Sequence, residues 1–235
     1  MAKRSHNSAK PVTRDADIRQ ALRGNLSEEF DDATNDLIVE EFSCNSARVD
    51  IAVINGALHA FEIKSDSDNL DRLPGQIEAY DGVFDYITLV CGERMLHKAR
   101  TTIPAWWGLR KAISLNRQIV LKQLRVAKRN PKQDSLALAG MLWKTEALTC
   151  LRKHGHKVVT SRNLASEIFE AAATLLSTRL LADEVRLAIK ARRGSGSARQ
   201  SSRDGDLYTT QSTALRCHSM DLSWLLSVPS RSHHG

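Results

Sequence analysis

Apolar positions along the chain change their spacing several times, and each change marks an expected element. Asp15 to Leu22 reads as a short helix with acidic residues at its start. Asp32 or Thr34 is placed to cap a second helix through about Phe42, with Leu37, Ile38 and Glu41 spread over its faces. Two apolar runs, 47–54 and 58–64, flank the turn signal Asn55-Gly56 and predict a hairpin. Ser65 to Asn69 has loop composition, Pro74 opens a helix to about Phe84, and Tyr86 to Cys91 is a short buried strand. A second hairpin is expected over 108–114 and 118–126, with Leu115 to Arg117 at its turn and Asn130-Pro131 beyond its end. From Ser135 a helical region runs to Arg193, broken near Gly155 and Thr160-Ser161, with Leu136, Leu138, Leu142, Leu148 and Leu151 as core positions. The run from Gly194 to Ser202 has the composition of a flexible linker.

Three charged residues interrupt the first hairpin: Asp50 on one strand, Glu62 and Lys64 on the other, among Ile51, Val53, Ile54, Leu58, Phe61 and Ile63. Desolvating an unpaired carboxylate is expensive, so carboxylates in such a run need a reason, and a bound divalent cation supplies one. Strand side chains alternate between faces, which puts Glu62 and Lys64 on the same side. Whether Asp50 joins them depends on the turn. A two-residue Asn55-Gly56 loop would pair Asp50 with Phe61 and turn it away from Glu62. A three-residue loop, the next commonest hairpin connection, brings all three together. The pattern therefore predicts a three-residue loop or an equivalent bulge.

Asp50, eleven intervening residues and then Glu62-x-Lys64 resembles the signature of the PD-(D/E)XK nuclease superfamily, with Val49 standing where a proline is usual. Gln76-Ile77-Glu78-Ala79-Tyr80 resembles the Gln-x-x-x-Tyr helix motif of the exonuclease branch of that superfamily. These motifs cover about residues 34 to 91. Together with Pro104 to Gly108 and the helical remainder, they resemble a small uncharacterised bacterial family with this nuclease-like core, to about residue 193. The resemblance implies an α/β, restriction-endonuclease-like core of helix, β-hairpin, helix and strand, followed by the second hairpin and the helical C-terminal region. It implies hydrolysis of phosphodiester bonds with Mg²⁺ or Mn²⁺, in DNA in preference to RNA. Asp50, Glu62 and the Ile63 carbonyl would hold the metal, with Glu40 as a further acidic ligand ahead of Glu41. Lys64 would orient the attacking water or stabilise phosphate charge, and Gln76 and Tyr80 would act beside the metal. The alternative is a nucleic-acid-binding module on a degenerate nuclease scaffold.

Charge sharpens the picture. The 235 residues carry a formal net charge of +7, but its distribution is uneven. Leu26 to Glu93 holds sixteen acidic and three basic residues, whereas Ala105 to Thr160 holds twelve basic and two acidic ones. A carboxylate-rich centre beside a basic flank suits a polyanionic partner as well as it suits ordinary solvated surface. Lys111, Arg117, Lys122, Arg125, Lys128 and Arg129 form the candidate phosphate track. Trp106 and Trp107 read as buried rather than base-stacking, Asp66 and Asp68 as turn residues, and His154-Gly-His156 as a helix-end turn. Cys44, Cys91, Cys150 and Cys217 show no CxxC pairing, which fits reduced thiols in a cytoplasmic protein. No run approaches the roughly 18 apolar residues of a membrane span, and no secretory signal follows the basic start. The expected organisation is a disordered basic stretch over 1–15, the core over 16–130, the helical region over 131–193 and a flexible tail over 194–235.

Overall fold

Six strands form one mixed sheet whose spatial order follows the chain. They are β1 (Leu37–Cys44), β2 (Ala47–Ile54), β3 (Leu58–Lys64), β4 (Tyr86–Gly92), β5 (Gly108–Leu115) and β6 (Gln118–Arg125). A computed structural model describes residues 12–30, 36–116 and 118–194, so residues 1–11 of the expected disordered start and most of the expected tail lie outside it. Residues 12–15 are placed: Thr13 is buried against Asp66, and Asp15 opens the first helix. β1, β2 and β3 pair antiparallel, β3 to β4 and β4 to β5 pair parallel, and β5 and β6 close with an antiparallel hairpin. Parallel neighbours need crossovers. These contain α2 (Leu73–Asp81) and α3 (Leu96–Thr102).

Alternation along the strands gives the sheet two apolar faces. On one, α1 (Asp15–Glu29) lays Ile18, Leu22 and Leu26 over Ile51, Val53, Phe61, Ile63, Val90 and Ala112. The four-residue spacing makes one stripe of a helix, and each fully buried side chain contributes about 1.5–3 kcal/mol. The other face, including Ala52, Ile54, Leu58, Ala60, Leu89 and Leu109, packs in the larger core. That core also takes side chains from α2, α3, α4 (Ser135–Ala139), α5 (Lys144–Lys153), α6 (Ala165–Leu175) and α7 (Thr178–Gly194). No helix among the described residues is long and apolar enough to cross a membrane.

Both hairpins and the strand at 86 fall where periodicity placed them. The helix expected through Phe42 does not: residues 37–44 form β1. Leu37 joins the larger core while its neighbour Ile38 packs against the α1 cluster, so adjacent side chains serve opposite faces. That is a period of two, supported by a ladder to β2, and it overrides the helical spacing of Leu37, Ile38 and Glu41. The first helix is longer than expected, and α3 was not anticipated.

Asp85 ties the halves together. Its buried carboxylate accepts from the Leu58 amide at 2.9 Å, and its own amide donates to the Leu58 carbonyl at 2.9 Å. Arg129 and Arg186 approach the same carboxylate at 3.4 Å. The start of β3, the chain after β6 and α7 thus share one anion.

Candidate functional site

The loop between β2 and β3 has three residues, Asn55 to Ala57, because Ile54 pairs with Leu58. Gly56 is not in the left-handed region. The Asn55 side chain closes the turn instead, accepting from the Ala57 amide at 2.8 Å. The register runs to Ile51 opposite Phe61, and Asp50, just beyond it, lies near enough for its charge to act on Glu62. The Ile63 amide donates to Asp50 Oδ2 at 2.7 Å. In an extended strand the carbonyl of a residue leaves on the same side as its amide, so the Ile63 oxygen also faces the Asp50 strand.

Glu62 is 2% exposed and lies at the centre of a hydrogen-bond cluster. Lys64 Nζ donates to its Oε1 at 2.5 Å, Gln76 Nε2 donates to the same oxygen at 2.6 Å, and the Tyr80 hydroxyl lies 2.8 Å from Oε2. Gln76 and Tyr80 reach it because α2 presents residues four apart on one face. Pro74 in the first turn of α2 suits its fixed φ and missing amide hydrogen. The Tyr80 hydroxyl also lies 2.7 Å from the Arg48 carbonyl, which fixes the ring over the end of β2. Burial raises the Glu62 pKa above the usual carboxylate range, the Asp50 charge adds to this, and Lys64 and Tyr80 offset it only in part. Burial and the Glu62 charge push the Tyr80 phenol far above its ordinary value, so it remains a donor. Behind it, Tyr80 stacks on Trp107 with ring centres 6.2 Å apart, and Trp107 donates to Asp81 at 2.8 Å.

The acidic residue that approaches Asp50 is Glu41. Glu40 and Glu41 lie on β1, where Glu41 takes a positive φ of 52°. Glu40 pairs with Arg23 near the surface. Arg19 of α1 binds Glu41 Oε1 at 3.0 Å and Asp50 Oδ1 at 2.7 Å, and Arg48 binds Glu41 Oε2 at 2.8 Å. The family resemblance put Glu40 ahead of Glu41; nothing in the sequence pattern signals the backbone kink or the Arg19 bridge. The kink has a direct consequence. A non-glycine residue in this region costs about 1–2 kcal/mol, so Glu41→Gly should be more stable than Glu41→Ala by about 1 kcal/mol. Both lose the two ion pairs, and paired urea melts isolate the backbone term.

The expected basic track divides. Lys64, Cys91, Lys111 and Lys122 are successive partners across β3 to β6, so they share the face that carries Glu62. Lys111 pairs with Glu93 at 3.3 Å, while Lys122 and Lys128 are exposed. Arg125 donates to the carbonyls of Trp107 and Pro104 at 2.6 and 3.1 Å and serves the fold. Arg129 turns to Asp85, and Arg117 lies outside the described residues. Asp68 accepts from the Ser65 amide, and Asp66 accepts from the amides of Thr13 and Arg94, so both are loop anchors. Trp107 is fully buried, and Lys132 lies 4.9 Å over the Trp106 ring.

Comparison with known proteins adds a lineage. A relative, protein cII of Enterobacteria phage P4, is 30% identical over 163 residues, which are 68% of this chain and 60% of its own length. The chain therefore spans less than two thirds of that relative. A solved protein of unknown function from Silicibacter pomeroyi aligns over 55% of this chain and 88% of its own, with 22% identity and a TM-score of 0.33. The model of the bacteriophage P4 protein cII family matches residues 9–212. The chain belongs to that family.

Proposed function

We propose that the chain is a metal-dependent nuclease that hydrolyses phosphodiester bonds, in DNA in preference to RNA, on a PD-(D/E)XK core of the restriction-endonuclease type. The carrying observation is the convergence of Asp50 on β2, Glu62 and Lys64 on β3, and Gln76 and Tyr80 on α2 in one hydrogen-bonded cluster. The donors are all oxygen, which suits Mg²⁺ or Mn²⁺. Glu62 accepts from Lys64 and Gln76 and shares the single Tyr80 hydroxyl proton with the Arg48 carbonyl, which leaves at least one of its about four acceptor positions. Gln76 Oε1 is buried without a protein partner, so the cluster retains acceptor capacity. A buried carboxylate that resists ionisation gains from a cation beside it.

Asp50, Glu62 and the Ile63 carbonyl would hold the metal, which when bound supplies Lewis-acid polarisation of a phosphate oxygen and a more acidic water. Lys64 places its ammonium within the same cluster, where it can hold the attacking water or balance charge growing on the phosphate. Gln76 and Tyr80 fix the Glu62 rotamer, and Tyr80 keeps its proton for that purpose. Metal affinity should rise with pH through the raised Glu62 pKa, because only the ionised carboxylate is a ligand. Calorimetric titration with Mn²⁺ between pH 5 and 8 reads this, and a flat profile counts against Glu62 as a ligand. The direct test is cleavage of single-stranded, duplex and branched DNA in Mg²⁺ or Mn²⁺, beside Asp50→Asn.

Lys111 and Lys122 extend from this centre towards the sheet edge, with neighbouring strands about 4.8 Å apart, and could carry the phosphates of a bound strand. Binding should weaken with salt, and Lys122→Ala should lower affinity about equally for all sequences while reducing the salt slope by roughly one unit. Salt-independent binding would reduce the row to ordinary surface. One observation favours the second reading, a binding module without catalysis: Arg19 already neutralises Asp50 and Glu41. DNA binding without cleavage in either metal would select it.

A further inference from the structure

A separate cluster lies on the helical side of the molecule. Cys150 belongs to α5, and His154 follows one turn later as the residue that ends it; Gly155, at a φ of 84°, then turns the chain away. Glu184 reaches them from α7. One ligand atom from each of the three lies within 4.8 Å of the other two, the only such group of His, Cys, Asp or Glu among the described residues. His154 Nε2 is 3.0 Å from Glu184 Oε1.

We propose that Cys150, His154 and Glu184 form a zinc-binding site that clamps α5 to α7, with solvent completing the coordination. The donor set carries the choice of metal. A thiolate, an imidazole and a carboxylate match the ligand preferences of Zn²⁺, whereas Mg²⁺ and Mn²⁺ prefer oxygen alone. Four-residue spacing on one helix aims Cys150 and His154 the same way, and the third donor comes from an element distant in sequence, so binding links two helices. Glu184 already draws a cation: Lys153 Nζ lies 2.7 Å from its Oε1. That lysine side chain is 54% exposed and can swing into water, leaving the carboxylate oxygen to the metal. Cys150 is nearly buried. Burial and the Glu184 charge hold its thiol up to about 11 without metal. On binding, the sulfur lone pair takes the metal and the thiol proton passes to buffer, with no change of oxidation state.

The test uses the full chain, freed of metal with a chelator and titrated with Co²⁺ as a spectroscopic stand-in for Zn²⁺. The expected result is a thiolate-to-cobalt charge-transfer band that saturates at one equivalent and disappears on adding Zn²⁺. Calorimetry in two buffers of different ionisation heat should show about one proton released per Zn²⁺ near pH 7. Cys150→Ser should abolish the band. His154→Gln, at a partly exposed position, should keep the fold and weaken binding by at least about tenfold. Asp50→Asn should leave the band intact, which separates this site from the nuclease centre. No band at stoichiometric cobalt, or an undiminished band in His154→Gln, would overturn the proposal and leave an ion-pair cluster of Lys153, His154 and Glu184.

Discussion

Asp50→Asn should abolish Mn²⁺-dependent DNA cleavage and weaken Mn²⁺ binding by at least about a hundred-fold, since even outer-shell changes at metal sites cost about 10–100-fold. The fold should survive. Asparagine retains a side-chain oxygen that can accept from the Ile63 amide, the bond that joins β2 to β3 at this point. What disappears is the charge, and with it the ion pair to Arg19. DNA affinity without metal should hold or rise, because an anion near the phosphate is gone and Arg19 is released. Circular dichroism, metal calorimetry and cleavage rates measured together separate these effects. A variant that binds Mn²⁺ and cuts like the parent would place the centre elsewhere.

Glu62 gives the second large effect, and its sign depends on the substitution. The folded pKa of Glu62 is raised. Its contribution to stability is therefore full below the unfolded value and is lost as pH climbs through the folded one. Glutamine resembles the protonated side chain, so Glu62→Gln should melt above the parent at neutral pH in chelator. Each kcal/mol corresponds to about 2–4 °C for a domain of this size. In Mn²⁺ the order should reverse, since only the parent gains binding energy. Glu62→Ala should behave differently. It leaves an empty buried space and removes the acceptor oxygen that glutamine keeps for Lys64 and Gln76, and each buried polar group left unsatisfied costs about 1–3 kcal/mol. Equal melting of the glutamine and alanine variants would mean that Glu62 is not the centre of the cluster.

The site was unevenly legible in the sequence. Parity alone turned the question of whether Asp50 meets Glu62 into a question about loop length, and the three-residue loop answers it. The Gln76 and Tyr80 spacing likewise carried its own geometry, because a helix presents residues four apart together. Glu41 could not be read in this way. Its placement depends on one left-handed residue inside a strand and on an arginine from α1, neither of which leaves a trace in periodicity. β1 was misread for a related reason: Leu37, Val39, Phe42 and Cys44 serve the larger core and Ile38 alone the α1 side, an uneven pattern that resembles a helix edge until both layers are known. Arg125 and Arg129 illustrate the limit of counting charge, since each spends its guanidinium on nearby fold contacts.

The stack of Trp107 on Tyr80 makes the proposed centre optically addressable. The indole is fully buried and lies one ring away from the phenol that approaches Glu62. A cation arriving at Glu62 changes the field along that line. Trp107 emission then becomes an internal gauge of occupancy that needs no label and no substrate, and Trp107→Phe identifies its share of the signal.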